Sequence, residues 1–136
     1  DKIWCDYFKF CNIRNPFDKM ISAYYFHRRQ KESRMGEREF EVYFQARGED
    51  DIESFRNWLI EEPRIDRYAY VINGQVCMDF FVRYEHLNED LARVCGILDI
   101  EYEPEKLPKL KQGVRKQKYG IEDYYDKSSI EIVQER

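Results

Sequence analysis

The feature that most constrains this chain is the passage from "YFKFCNI", residues 7–13, into "RNPFDKMISAYYF". An apolar run interrupted only by Lys9 and Asn12 has the composition of a strand covered on both faces, so a central strand is expected there. Asn15 then supplies a helix N-cap. Pro16 suits the first helical position, where its missing N–H costs nothing, and Asp18 brings negative charge to the positive end of the helix dipole. A helix is predicted over 16–29, with Phe17, Met20, Ile21, Tyr24 and Arg28 on one face and Ser22 off that stripe.

Further along, residues 31–49 mix charge with isolated aromatics and two glycines, which predicts a loop with a short helical turn. "DDIESFRNWLIEEP" reads as a helix capped by Asp, with Ile52, Phe55, Trp58 and Leu59 on one face and Pro63 as its stop. In "YAYVINGQVCMDFFVRYE", Asn73-Gly74 separates two β-rich runs. That pair predicts a type I′ hairpin, because both central positions need positive φ, and a strand over 80–84 follows. Asn88 is the expected cap of a third helix burying Leu91, Val94, Cys95 and Leu98. A basic loop, "EPEKLPKLKQGVRKQKYG", leads to a last helix for which Ser128 and Glu131 form the expected capping box. Tyr24, Tyr25, Phe40, Tyr43 and Phe44 fit core packing at least as well as sugar stacking.

Composition sets the scale. With 136 residues, 43% hydrophobic and 16% aromatic, the chain can build one core, and a single domain over 1–136 is expected. A net charge of -4 argues against a surface that coats nucleic acid, so any anion site must be local. Cys5, Cys11, Cys77 and Cys95 contain no C-x-x-C pair, and with His27 and His86 they lack zinc-ligand spacing. Buried thiols in a reducing, cytoplasmic setting are the simplest reading. No run reaches the roughly eighteen apolar residues of a membrane span. Residue 1 is not a methionine, and a piece of a longer protein is expected.

Chemistry concentrates at Arg14. An Arg leaving the carboxyl end of a strand beside a helix N-terminus can aim its planar fork at a phosphate, while free backbone N–H groups add positive potential. Ser22 lies two turns along the helix. Its hydroxyl meets the same anion only if the Arg14 side chain runs down that helix flank. On local physics alone the blander account is the stronger one: Arg14 pairs with Asp18 or Asp79, and Ser22 is an exposed helix residue.

"IRNPFDKMISAYYF" resembles the 3′-phosphate-binding segment of sulfotransferases that use 3′-phosphoadenosine 5′-phosphosulfate, in both the Arg-Asn-Pro strand end and the Arg-to-Ser spacing. "DFFVRYEHLNEDLARVCGILDI" is similar to the strand and helix that follow in these enzymes, with Glu85 and Leu87 in the family's Glu-x-Leu position. "LPKLKQGVRKQKYGIEDYYDKSSIEIVQER" resembles their closing segment. The likeness is strongest to the bacterial and Golgi carbohydrate-type branch.

That resemblance implies an α/β chain with part of a three-layer, P-loop-like nucleotide-binding fold, its small, mainly parallel sheet flanked by helices. It implies sulfuryl transfer from the nucleotide donor to a hydroxyl of a carbohydrate or similar acceptor, without a metal. Arg14 and Ser22 would grip the 3′-phosphate, and Arg115 and Lys116 of the basic loop would contact the nucleotide. A Golgi setting would follow for a eukaryotic source.

The family's phosphosulfate loop normally precedes the Arg strand, and residues 1–7 contain none. The chain is therefore expected to be the C-terminal portion of a sulfotransferase domain, inactive alone and prone to self-association. No catalytic residue is assigned, because the family's base usually comes from upstream. His27 reads as a packing or surface residue, His86 as an exposed turn residue, and Glu85 as a carboxylate that anchors the turn by accepting backbone N–H bonds. A non-catalytic nucleotide-binding or interaction module derived from the same fold is the alternative. A P-loop kinase relative is disfavoured because no G-x-x-x-x-G-K-[ST] occurs.

Overall fold

The computed structural model describes residues 4, 6–48, 50–61, 69–108 and 119–135. The chain is α/β, as expected, and divides into two compact units. The first comprises the described residues of Asp1–Asn15 and Ile65–Lys109, the second those of Pro16–Arg64 and Leu110–Arg136.

In the first unit, β1 (Phe10–Ile13) pairs in parallel with a strand, Phe80–Arg83, that the chain reaches only after a small hairpin. That hairpin is β2 (Val71–Ile72) against β3 (Gln75–Val76), and the Phe80–Arg83 strand is β4. Asn73 and Gly74 both adopt positive φ, 51° and 79°, which is the backbone requirement that made this pair legible as a turn. The parallel register runs Phe10 to Phe80, Cys11 to Phe81, Asn12 to Val82 and Ile13 to Arg83. A 3₁₀ turn, Tyr84–His86, joins β4 to the helix Leu87–Ile97, which packs back on β4; Val94 of the helix and Val82 of the strand are both buried.

The second unit is helical. Its elements are α1 (Pro16–Glu32), α2 (Glu37–Gln45), α3 (Asp51–Glu61), α5 (Ile121–Tyr124) and α6 (Lys127–Gln134), the helix Leu87–Ile97 of the first unit being α4. Its core gathers Met20, Ile21, Tyr24, Tyr25, Phe44, Phe55, Trp58, Leu59 and Tyr124. Tyr24 sits among Tyr25, Phe44, Phe55 and Trp58 at centroid distances of 5.2 to 6.4 Å, three of the four edge-on, an arrangement the ring quadrupole favours. The Tyr25 and Tyr124 hydroxyls share a buried 2.7 Å hydrogen bond. The Tyr125 hydroxyl donates to the Phe17 carbonyl at 2.7 Å, tying the chain's last segment to the first turn of α1.

Several expectations are corrected. The run at 7–13 yields a strand only over Phe10–Ile13, and it is not covered on both faces: Phe10 and Asn12 are exposed while Cys11 and Ile13 are half-buried. An apolar run still has two sides, and here they alternate between solvent and protein. Residues 37–45 form a regular helix rather than a loop with one turn. Phe40 and Phe44, four apart, stack at 4.8 Å, and Phe44 enters the core, so packing stabilises a segment whose charges alone would not.

Helix α1 runs three residues past its expected end, and His27 joins its buried face. Asn88 does not cap α4; it lies one residue inside, where its Oδ1 accepts the Tyr102 hydroxyl at 2.8 Å. Leu98, at the helix's C-cap, is exposed rather than buried. The last helix is capped by Asp126 in place of Ser128. Asp126 accepts the Ser129 N–H at 2.9 Å, and the Ser129 hydroxyl accepts the Asp126 N–H at 2.8 Å in return. Cys11, Cys77 and Cys95 are free thiols, half-buried rather than fully enclosed. Pro63, Cys5 and the basic stretch 109–118 lie outside the described residues.

Candidate functional site

Parallel strands place their carboxyl ends side by side, and in α/β sheets that edge is where ligands bind. Here the register leaves Ile13 opposite Arg83, so Arg14 and Tyr84 are the next residues out on neighbouring strands. The Arg14 guanidinium lies over the Tyr84 ring, 4.3 Å from its centroid. That is close enough for cation–π attraction and planar stacking.

Both chains are held where they leave the sheet. Glu85 Oε1 accepts the Asn15 N–H at 2.7 Å, which is the anchoring role read from the sequence. Arg83 faces Asp90 of α4 in a two-pronged pair, Nε to Oδ2 and Nη2 to Oδ1, each 2.8 Å, and the Arg83 N–H adds a third bond to Oδ2 at 2.9 Å. Asp90 is fully enclosed. The hydrogen bonds from Arg83 hold its carboxyl well below the usual carboxylate range, and the pairing raises Arg83 in turn. Arg83 is thus committed to structure.

At the opposite end of the same strands, Asp79 accepts the Lys9 N–H at 2.7 Å and pairs with its ammonium at 2.8 Å. Asp79 was one of the two carboxylates the sequence offered to Arg14; it is the partner of Lys9. The bonds from Lys9 lower its pKa.

The other sequence-predicted residues fall elsewhere. Ser22 is half-buried on α1 in the second unit. Arg115 and Lys116 lie outside the described residues. His27 is packed, its Nε2 3.4 Å from the Tyr43 hydroxyl and its ring 6.1 Å from Trp58, and His86 is exposed with Nδ1 3.3 Å from Glu89. Sequence reading missed Tyr84 and the Arg83–Asp90 pair. The available signal was the parallel pairing itself, since aligning the two strand ends puts Tyr84 beside Arg14. Among the described residues no cluster of three His, Cys, Asp or Glu side chains is arranged to hold a metal, and no helix is long and apolar enough to cross a membrane.

Over residues 1–134 the chain matches the Sulfotransferase family. It is similar to an uncharacterized protein of Archaeoglobus fulgidus, 32% identical over 94 residues that make up 68% of each chain. No solved structure matches it. A match of nearly full length, with an Arg at the carboxyl end of a parallel strand and a Glu-x-Leu turn beside it, has one reading: the chain belongs to the sulfotransferase family.

Proposed function

We propose that this chain is the C-terminal portion of a sulfotransferase domain, which in the intact protein transfers a sulfuryl group from 3′-phosphoadenosine 5′-phosphosulfate to a hydroxyl of a carbohydrate or similar acceptor, and that the chain supplies the 3′-phosphate-binding segment. Arg14 and Ser22 hold the donor's 3′-phosphate, and Arg115 and Lys116 contact the nucleotide from the basic loop. One observation carries the reading: Arg14 emerges at the carboxyl edge of the parallel pair, the ligand-binding edge of α/β sheets, on a chain of this family. The Arg14-to-Ser22 spacing supports Ser22 as its companion. A cytoplasmic setting belongs to the same proposal, on the cysteine pattern described above.

In the transfer, the acceptor oxygen bonds to sulfur as the bond from sulfur to the 5′-phosphate oxygen breaks, and the acceptor hydroxyl gives up its proton. The products are a sulfate ester and 3′-phosphoadenosine 5′-phosphate. The chain's part is to orient the donor and to neutralise its charge, so that the reacting groups meet in line without reorganisation during the reaction.

The test compares 3′-phosphoadenosine 5′-phosphate with adenosine 5′-phosphate, which lacks only the 3′-phosphate. Arg14→Ala is expected to weaken binding of the first by roughly 1.5 to 3 kcal/mol, the worth of a charge-assisted bond, and Ser22→Ala by about 1 kcal/mol. Arg14→Lys recovers part of the loss, since an ammonium keeps the charge but not the planar fork. Equal losses for both nucleotides would remove Arg14 and Ser22 from the 3′-phosphate.

A further inference from the structure

We infer that the helical unit carries a binding site of its own: a cavity walled by α1, α2 and the start of α3 that takes a small organic cation, a primary ammonium on a ring-sized body. The inference stands on this unit alone and does not depend on the sulfuryl-transfer reading.

The cavity measures about 210 Å³. Roughly 150 Å³ is enough for a benzene ring, so there is room for a six-membered ring with one substituent. Helix α1 contributes Arg28, helix α2 contributes Phe40, Glu41 and Phe44, and the start of α3 contributes Asp50 and Asp51. Gly48, between α2 and α3, has φ 154°, and a Cβ there would lie 2.7 Å from the Glu53 Cβ. Only glycine lets the chain close on α3 at this point and complete the wall.

Charge selects the ligand's sign. Three acidic side chains, Glu41, Asp50 and Asp51, line the cavity with one basic side chain, Arg28. The Arg28 guanidinium pairs with Asp51 Oδ1 and lies over the Phe44 and Phe40 rings, 5.2 and 5.9 Å from their centroids, so the aromatic wall already seats one cation. The other two acids are not balanced by it. Among the described residues Glu41 has no hydrogen-bond or ion-pair partner, and Asp50 accepts the Ile52 and Glu53 N–H groups through Oδ1, which leaves Oδ2 for a ligand. A second observation points to the same place. The enclosed Tyr24 hydroxyl completes no hydrogen bond, while its polar neighbours are Arg28, Asp51 and Ser54, all three in the cavity wall. An orphaned buried hydroxyl is costly. A ligand ammonium that shares Asp51 loosens the guanidinium, which can then donate to the Tyr24 oxygen, so binding supplies a bond that the core otherwise lacks.

The experiment titrates the full chain at low salt with cyclohexylamine, with cyclohexanol and with cyclohexanecarboxylate, three bodies of similar size that differ in charge, while backbone amide resonances are followed. The ammonium is expected to shift the Gly48, Asp51 and Ser54 amides and to bind about tenfold more tightly than the alcohol, the worth of a charge-assisted contact, with no saturable binding of the carboxylate. Added salt should weaken the ammonium alone. Equal affinities for ammonium and alcohol would overturn the inference and reduce the site to an apolar cavity. Shifts centred away from the junction of α2 and α3 would overturn it as well.

Two substitutions that spare the fold test the carboxylates. Glu41 is exposed, and Asp50→Asn keeps a side chain that caps helices equally well. Glu41→Gln and Asp50→Asn are each expected to lower the ammonium affinity about two- to fivefold, the value of a solvent-accessible ion pair, and to leave cyclohexanol unchanged. Ammonium affinity that survives both substitutions undiminished would overturn the inference, because the charge that selects the ligand would then lie elsewhere.

Discussion

The two units of this chain enclose opposite kinds of group. The helical unit buries aromatic rings and aliphatic side chains, with Tyr24, Phe55, Trp58 and Tyr124 almost wholly removed from solvent. The strand unit buries little apolar surface beyond Val82 and Val94, and what it encloses most completely beside them is a carboxylate, Asp90. Its chain ends are fastened by acids that accept backbone N–H groups: Asp79 for Lys9, Glu85 for Asn15, Asp90 for Arg83. Packing of rings yields stability in proportion to area, whereas a charge-assisted bond to a particular N–H fixes a position. Arg14, Tyr84 and Glu85 lie in the unit that is built for position, and Ser22 in the other.

That contrast breaks most easily at Trp58. Truncation to Ala leaves a large cavity among Tyr24, Phe55 and His27, and a loss of about 3 to 5 kcal/mol in denaturant unfolding is expected. A loss below about 1 kcal/mol would mean that the aromatic cluster does not hold the helical unit together.

A smaller effect separates packing from polarity within the same core. Tyr25→Phe or Tyr124→Phe leaves the other hydroxyl buried without its 2.7 Å partner, for about 1 to 3 kcal/mol each. Replacing both should cost less than the two singles combined, because no orphan remains. Burial, with the Tyr124 hydroxyl adding to it, raises the Tyr25 pKa far above the ordinary phenol range, so Tyr25 contributes no pH dependence near neutrality. Strict additivity of the two substitutions would show that the hydrogen bond is incidental.

The third effect is a change of slope. The folded pKa of Asp90 lies below its unfolded value of about 3.9, so its stabilisation is complete above that pH and disappears as pH falls from there through the folded value. Asp90→Asn should lower the melting temperature at neutral pH and make the acid limb shallower, with Asp79 and Asp126, whose pKa values are also lowered, supplying what remains. Melting curves from pH 7 to pH 2 that keep the wild-type slope would count against the Arg83–Asp90 pair as a main fastening of the strand unit.

Much of the framework was legible because single residues dictate local backbone. Asn73-Gly74 forced a turn, Asp50 capped α3 through the Ile52 and Glu53 N–H groups, and Phe55, Trp58 and Leu59 marked a buried face by spacing alone. Helix α2 was obscured because its charges read as loop while its two anchors, Phe40 and Phe44, gain their worth only from residues distant in sequence. The caps at Asp126 and His86 differed from the expected Ser128 and Asn88 by two positions each, a distance that pattern cannot resolve and geometry can. At the site, Arg14 and Glu85 were visible as types at a strand end and a turn. Tyr84 was not, since its meaning depends on the register between strands whose paired residues stand seventy positions apart.

That separation has a consequence for how the chain acquires its shape. Pairing Phe10 with Phe80 closes a loop of about seventy residues, and ideal chain statistics put the entropic cost of such a closure at roughly 4 kcal/mol before any strand hydrogen bond offsets it. Helices α1, α2 and α3 lie in sequence between the two strands, and local contacts of that kind form early. The parallel pair, and with it the alignment of Arg14 on Tyr84, is therefore expected to condense after the folding barrier has been crossed. Weakening the β1 and β4 contacts should then hasten unfolding far more than it slows folding, so the lifetime of the site is set by how long the strands stay together and not by how fast they find each other.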